Sequence, residues 1–356
     1  MVELSNLVVF VVALGIVGFL IYAVLIFKTY TDSRKNAVSR ERKLPDGSFT
    51  DLDALSICLN RKSIRKYDPN KTELETHLKE QINAFLGDED KMKGPFGSKI
   101  KIVLVSTDQA VSGRLGTYGV IQGAKYFLVG ITNPETNLVD FGYVYERLIL
   151  LCTKLGLGTC WMAGTFRSSQ FKAVIKLQEQ EKIYMVSPVG YSDPSALKTK
   201  VIRRPFYNII FRGLSEKLGG KGTVKENQSQ GNGFENKEEC GLLGDALEAI
   251  QWAPSGINAQ PWRIFVLESA SDPNKKVLHF FIKKLGTFYS ENDIGIAISN
   301  FTYVLEHAGR NGKLEIRKNQ GVSSQKNEVQ TKDDGLLPVL KEADESLTYA
   351  ATWLEL

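Results

Sequence analysis

The chain has 356 residues, of which 43% are hydrophobic and 24% are charged, and this globular composition excludes a wholly disordered or fibrous protein. Its 45 basic and 40 acidic side chains leave a formal net charge of +5, too small over this length to indicate a nucleic-acid partner. Four cysteines without a CxxC pair, with only three histidines, indicate neither a disulfide framework nor a metal site.

The first element is an apolar run over residues 7–27, preceded by a short tail at 1–6. The run carries no charge and is long enough to cross a hydrocarbon core of about 30 Å as a helix. A signal peptide and a buried core helix are the alternatives, but there is no basic leader or cleavage site, and core helices are rarely so uniformly apolar. Because basic residues follow the run, we predict a single-pass membrane protein, anchored in lipid, with the rest of the chain in the cytoplasm.

The remaining chain divides by composition. Residues 28–55 form a basic tether, and 56–214 form a first folded unit. Residues 215–240 are rich in Gly, Asn and Gln and are predicted to be a flexible linker. A second unit spans 241–316, and the polar tract 317–356 ends in an apolar period that predicts a C-terminal helix.

The two folded units share a repeated pattern. Residues 140–156 carry Asp-x-Gly at the start of an apolar helical period and a terminal Gly, and residues 293–309 repeat this pattern 153 positions later. A β-rich run precedes each copy. A chance match of so short a pattern is the alternative, but the shared order of elements favours two copies of one α/β unit.

Four short segments carry candidate chemistry: RKSIRKY (61–67), LGLGTCWMAG (155–164), PVGY (188–191) and APSGINAQPW (253–262). Each alone has an ordinary interpretation, as a solvated basic strand, a turn or a helix exit. Together they resemble the nitroreductase family of flavoproteins, including its branch with two half-domains fused in one chain. The resemblance covers about 56–316 without the linker.

This resemblance implies an α+β, nitroreductase-like fold made of two fused half-domains, here preceded by one transmembrane helix. It implies FMN as cofactor, NADH or NADPH as electron donor, and a nitroaromatic, quinone or similar small-molecule acceptor. The reaction would be a ping-pong hydride transfer through flavin N5, with no catalytic side chain and with the catalytic domain facing the cytoplasm. Open alternatives are an FMN-dependent reductive dehalogenase or flavin-modifying enzyme, and a non-catalytic, membrane-tethered flavin-binding module.

One departure from the family pattern is informative. The usual chain carries both R-x-S-x-R and A-P-S-x-x-N, and two protomers share each FMN. Here the first unit has only the former, at 61–65, and the second has only the latter, at 253–258. Since each unit lacks what the other supplies, we predict a pseudo-dimer within one chain that binds one FMN and needs no further oligomer for its site.

The resemblance also assigns roles near the phosphate. Arg61 and Ser63 would present a guanidinium and a hydroxyl to it. Arg203 and Arg204 occupy the position of the family's C-terminal basic residues, with a solvated basic turn as the alternative. Arg65 would reach the N1–C2=O edge of the flavin ring.

The remaining roles concern the ring. The backbone of the turn at 162–164 would lie near flavin N5, the atom that accepts hydride, with Ala163 and Gly164 closest. The 253–262 loop would line the ring from the second unit. The complete predicted set is Arg61, Lys62, Ser63, Arg65, Met162, Ala163, Gly164, Arg203, Arg204, Pro254, Ser255 and Asn258.

Overall fold

The structure is a computed structural model that describes residues 20–21, 23–25, 27–28, 31, 37–41, 53–110, 113, 115–198, 200–213, 233–269, 272–283, 288–316 and 347–356. Its helices are α1 (Ala54–Asn60), α2 (Thr76–Gly87), α3 (Leu138–Lys154), α4 (Ser168–Val174), α5 (Gly244–Trp252) and α6 (Ser290–His307). Its strands are β1 (Val38–Glu41), β2 (Lys101–Ser106), β3 (Tyr126–Thr132), β4 (Gly158–Thr159), β5 (Lys182–Gly190), β6 (Lys200–Arg203), β7 (Ile210–Arg212), β8 (Trp262–Glu268), β9 (Lys276–Lys283), β10 (Gly312–Glu315) and β11 (Leu347–Glu355).

The first sheet has the antiparallel order β2-β3-β5-β4. Its strand β3 is buried along its whole length, as expected for a continuous apolar run. Helix α3 packs on this sheet and begins at Asn137, whose side chain accepts hydrogen bonds from the backbone N–H groups of Val139 and Asp140. The chain leaves the helix through Gly156, whose φ of 75° is the left-handed conformation that favours glycine.

The second sheet has the order β10-β11-β9-β8-β7. Helix α6 covers it with a largely buried surface. Strand β7 lies parallel to β8 at the edge of this sheet, although it belongs to the first unit in sequence. The predicted boundary at residue 214 therefore does not separate the two sheets, because the first unit supplies a strand to the second.

Two predictions about the polar segments need correction. Within the predicted linker 215–240, residues from 233 onward are packed, since Phe234 is 8% exposed in the core of the second sheet; residues 215–232 lie outside those described. The predicted C-terminal helix is wrong for Leu347–Glu355, which form β11 between β9 and β10. Alternating β-formers there bury Trp353 in the core, whereas a helix would leave the centre of the sheet unpaired.

The two long helices α3 and α6 pack against each other with a symmetric contact. A Cβ on Gly142 would collide with the backbone oxygen of Asn292, and a Cβ on Gly295 would collide with that of Val139. Both glycines belong to the repeated Asp-x-Gly pattern, and each meets the residue three positions before the other. The repeated glycines therefore allow the close approach of the two units.

The predicted localisation, a single-pass membrane protein with a cytoplasmic catalytic domain, is corrected by the structure. Of the helices in the described part of the chain, none is both long and apolar enough to cross a bilayer. Most of the predicted span 7–27 lies outside the described residues; those described between 20 and 31 are helical, and Ala23 and Phe27 border the main cavity of the fold. The predicted tether 28–55 also contains a strand, because β1 pairs with β6.

Candidate active site

A cavity of about 990 Å³ lies where the two units meet. Segments 61–65, 161–165 and 201–203 border it from the first unit, and 254–258 and 289–296 border it from the second. The structure brings most of the predicted site residues to its wall: Arg61, Lys62, Ser63, Arg65, Met162, Ala163, Gly164, Arg203, Pro254, Ser255 and Asn258.

Arg204 is the predicted residue that does not line this cavity. Its backbone N–H donates to the Gln260 side chain over 2.6 Å, and its guanidinium approaches the Ala259 carbonyl at 3.4 Å. It follows directly after β6, which ends at Arg203, and these hydrogen bonds hold it against the chain at 259–260. Sequence proximity alone did not distinguish the two arginines.

The basic segment, residues 61–67, follows α1 in the chain and is held in an extended conformation. Ser63 forms a parallel bridge with Thr159, and the backbone N–H of Ile64 donates to the Thr159 carbonyl over 2.8 Å. The Lys62 ammonium reaches the Ala196 carbonyl at 3.3 Å. Strand β4, part of the LGLGTCW turn, therefore positions the segment against the cavity.

Two buried guanidiniums give the cavity wall a surplus of positive charge. Arg61 is 2% exposed and Arg203 is 4% exposed. Burial lowers the pKa of both; for Arg203 the pKa falls to about 9, and the nearby charge of Arg61 adds to the decrease. The buried Glu146 carboxylate lies 3.9 Å from Arg61 Nε and offsets part of this charge.

The arginine donors are also incompletely used by the protein. Among the described residues, Nε and Nη1 of Arg61 and Nε of Arg203 are buried without a hydrogen-bond acceptor. Unsatisfied buried donors are costly, and they are more so on a charged group. The site is therefore suited to a compact anion with several oxygen atoms.

The loop from the second unit carries unusual backbone conformations. Ile257, Asn258 and Gln260 have φ values of 47°, 58° and 48°, which are uncommon for residues other than glycine. The Asn258 side chain fixes the loop to the first unit, because its Oδ1 accepts a hydrogen bond of 3.0 Å from Arg203 Nη1. Asp293 also holds the loop, because its carboxylate accepts a hydrogen bond from the Gly256 N–H. Such strain persists at sites where the surroundings over-determine the conformation.

The turn at 161–165 forms the opposite part of the wall. Met162 is fixed by paired backbone hydrogen bonds with Val186, of 3.0 and 2.9 Å. Trp161 donates its indole N–H to Glu146 over 2.8 Å. At Gly164, no heavy atom lies within 4 Å of the place a Cβ would take, so this stretch of backbone is open.

Sequence reasoning missed several wall residues, including Tyr289, Asn292 and Asp293 on α6 and its N-terminal turn. Asp293 was visible only as part of the Asp-x-Gly repeat, which was interpreted as a sign of two copies of one unit and gave this residue no role of its own. The buried Glu146 gave no signal at all, because a single Glu in an apolar helix has no motif. The fold alone reveals its contacts with Arg61 and Trp161.

Comparisons with known proteins identify a family that this chain matches. The family model described as "Putative TM nitroreductase" matches residues 55–304, more than half of the chain. No curated protein matches the chain.

Among solved structures, a "putative nitroreductase" from Thermotoga maritima is 15% identical with a TM-score of 0.47, over 85% of this chain and 93% of that one. The FMN-dependent nitroreductase of Clostridium difficile R20291 is 20% identical with a TM-score of 0.30, over 38% of this chain and 86% of that one. The FMN-dependent nitroreductase NfnB of Mycobacterium smegmatis, solved with NADPH, is 16% identical with a TM-score of 0.31, over 40% of this chain and 89% of that one. On the extent of the family match, the chain belongs to the nitroreductase family.

Proposed function

We propose that this chain is an FMN-dependent NAD(P)H oxidoreductase that passes a hydride to a small-molecule acceptor such as a nitroaromatic or a quinone. The observation that carries the proposal is the cavity between the two units, with its surplus of buried positive charge. FMN combines a phosphate dianion with a flat, largely apolar ring. The wall offers a matching partner to each part.

The phosphate fits the arginine side of the cavity. Arg61 and Arg203 have buried donors without acceptors among the described residues, and Lys62 and Ser63 border the same space. Binding of a dianion there would satisfy these donors and reverse the effect that lowers the pKa of both guanidiniums. These four residues would hold the phosphate.

The ring fits the remaining wall. Met162, Pro254 and Ile257 offer apolar contact, whereas Ser255 and the backbone near Gly164 offer polar groups at its edges. Arg65 is exposed at the wall, so it would bring a cation to the ring without the cost of full burial. When bound, FMN supplies hydride transfer at N5, and the protein orients the partners and excludes water.

The size of the cavity supports a second molecule beside the cofactor. Pockets for drug-sized ligands span roughly 300–1,000 Å³, and this cavity lies at the upper end of that range. A ping-pong reaction requires only one additional molecule at a time, first the nicotinamide donor and then the acceptor. Both would use the same open side.

We also propose that the two units are a fused pseudo-dimer with one FMN. The symmetric contacts of Gly142 and Gly295 support it, because they are the contacts expected around a two-fold axis between equivalent helices. A single site is supported because each unit contributes a different part of the wall. The basic segment comes from the first unit, and the strained loop comes from the second. The site would be complete within one chain.

The test is anaerobic reduction of the FMN-loaded protein by NADH and, separately, by NADPH, followed by addition of menadione or nitrofurazone. Bleaching of the flavin by at least one donor and its reoxidation by an acceptor are expected. FMN that binds tightly but is reduced by neither nucleotide would contradict the enzymatic proposal and favour a flavin-binding protein. Free FMN under the same conditions is the control for non-enzymatic transfer.

A further inference from the structure

Among the described residues that line the cavity, one carries a carboxyl group, namely Asp293 on α6. It is 1% exposed, so little bulk water reaches it. The other ionisable side chains of the wall are the cations of Arg61, Lys62, Arg65 and Arg203 and the phenol of Tyr289.

Asp140 is the natural comparison, because it occupies the equivalent position in the first unit. Its carboxylate accepts the backbone N–H groups of Phe96 and Ser98, each over 2.8 Å. The two oxygens of Asp293 share the single N–H of Gly256, at 3.0 and 3.1 Å. Each aspartate thus holds a loop of its own unit, but Asp140 does not border the cavity. The structural role is duplicated, whereas access to the cavity is not.

The surroundings of Asp293 raise the pKa of its carboxyl. Burial is the largest influence and raises its pKa to about 7, opposed by the hydrogen bonds from Gly256 and from the Asn292 side chain. Tyr184 on β5 lies near Asp293, because burial and then the charge of Asp293 raise the pKa of the Tyr184 phenol, with smaller contributions from Tyr289 and Glu291. No cation of the wall contributes to this balance.

We propose that Asp293 is the acid that delivers a proton to a quinone as the quinone is reduced in this cavity. The inference rests on the proposed function. The quinone receives a hydride from reduced FMN, which returns to its oxidised form, and one proton from the Asp293 carboxyl. The Asp293 O–H bond breaks as the hydroquinone O–H bond forms, and solvent reprotonates the carboxylate before the next turnover.

This assignment follows from acidity and position. An acid is most effective when its pKa lies near the pH at which it works, and burial raises the pKa of Asp293 to about 7. The arginines of the wall do not release protons under these conditions. Asp293 lines the cavity next to the strained 254–258 loop, whose Gly256 N–H it accepts, and the arginines border the same cavity from the first unit.

The test compares two acceptors with FMN-loaded, pre-reduced protein in a stopped-flow instrument. Menadione needs a proton as well as electrons, whereas ferricyanide takes single electrons and no proton. In Asp293→Asn, which keeps an oxygen for the Gly256 N–H, the rate of menadione reduction relative to ferricyanide reduction should fall about 100-fold. Asp293→Glu should restore much of the menadione rate, and Asp140→Asn is the matched control.

A separate readout does not depend on turnover. In cofactor-free protein, the infrared band of a protonated carboxyl should disappear as the pH is raised through about 7. The band should be present in Asp140→Asn and absent in Asp293→Asn. If Asp293→Asn is poorly folded, a shift of the band in Asp293→Glu also assigns it to residue 293.

Three results would overturn the assignment. An unchanged menadione rate in Asp293→Asn would show that Asp293 is not the proton donor, and the proposed oxidoreductase function would stand. Equal losses of rate with menadione and with ferricyanide would also exclude Asp293 as the proton donor. Absence of the infrared band from wild type below pH 7 would show that Asp293 carries no proton to deliver. If wild-type protein reduces ferricyanide but passes no electrons to menadione, the proposed quinone reductase function fails, and the proton transfer fails with it.

Discussion

Replacement of Arg61 by Met tests the assignment of the phosphate site. Met preserves much of the apolar volume of the side chain but removes the guanidinium. Arg61 is 2% exposed, with Nε and Nη1 lacking an acceptor among the described residues. The variant loses few internal hydrogen bonds and weakens anion binding, but it also removes the cation beside the buried Glu146 carboxylate, so its free energy of unfolding should fall as well.

The expected magnitude follows from those two donors. A hydrogen bond to a charged group contributes about 1.5–3 kcal/mol, so the loss of two gives about 3 kcal/mol at the lower limit. A difference of about 1.4 kcal/mol is tenfold in an equilibrium constant, and the Kd for FMN should therefore rise about 100-fold. Arg203 and Lys62 remain and prevent complete loss.

Quenching of FMN fluorescence during titration of the apoprotein measures this Kd directly. Lys66→Met is the matched control, because Lys66 belongs to the same basic segment but pairs with Asp193 and does not line the cavity. Circular dichroism verifies that both variants are folded. If Arg61→Met and Lys66→Met bind FMN equally well, the phosphate does not lie at Arg61.

Three further predictions concern packing, pH and the strained loop. Gly295→Ala should lower the free energy of unfolding by about 1–3 kcal/mol in urea melts, since its Cβ collides with backbone, while Gly87→Ala, with open space around it, should not. In cofactor-free protein the free energy of unfolding should fall as pH rises from about 4 to about 7, because folded Asp293 keeps a proton that the unfolded chain has lost; urea melts of Asp293→Asn should lack this component. Asn258→Gly keeps the positive φ but loses the hydrogen bond to Arg203, so the Kd for FMN should rise about tenfold; an unchanged Kd would show that this bond does not support the site.

The sequence predicted which segments meet at the cavity better than it predicted the outline of the fold. The basic segment and the 253–262 loop are separated by some 190 residues, and their joint resemblance to the nitroreductase family pattern indicated that they meet. Such motifs are local, and their glycines, prolines and basic residues have local conformational reasons. The same locality explains why Arg204 was grouped with Arg203, although the two side chains lie in different environments.

The elements that were missed depend on distant partners. Leu347–Glu355 became a strand because β9 and β10 offer two free edges, which no local pattern reveals. Phe234 is one apolar residue in a polar stretch, and only its contact with the second core orders it. The acidity of Asp293 likewise depends on burial beneath a loop from another part of the chain.

The ratio of FMN to protein in the full-length chain tests the central claim most directly. Apoprotein is saturated with FMN, freed of excess cofactor, and measured for bound flavin, protein concentration and molecular mass in one preparation. A fused pseudo-dimer with a single site predicts about one FMN per chain, including in the monomer fraction. Two FMN per chain, or one FMN for every two chains with none in the monomer, would contradict it.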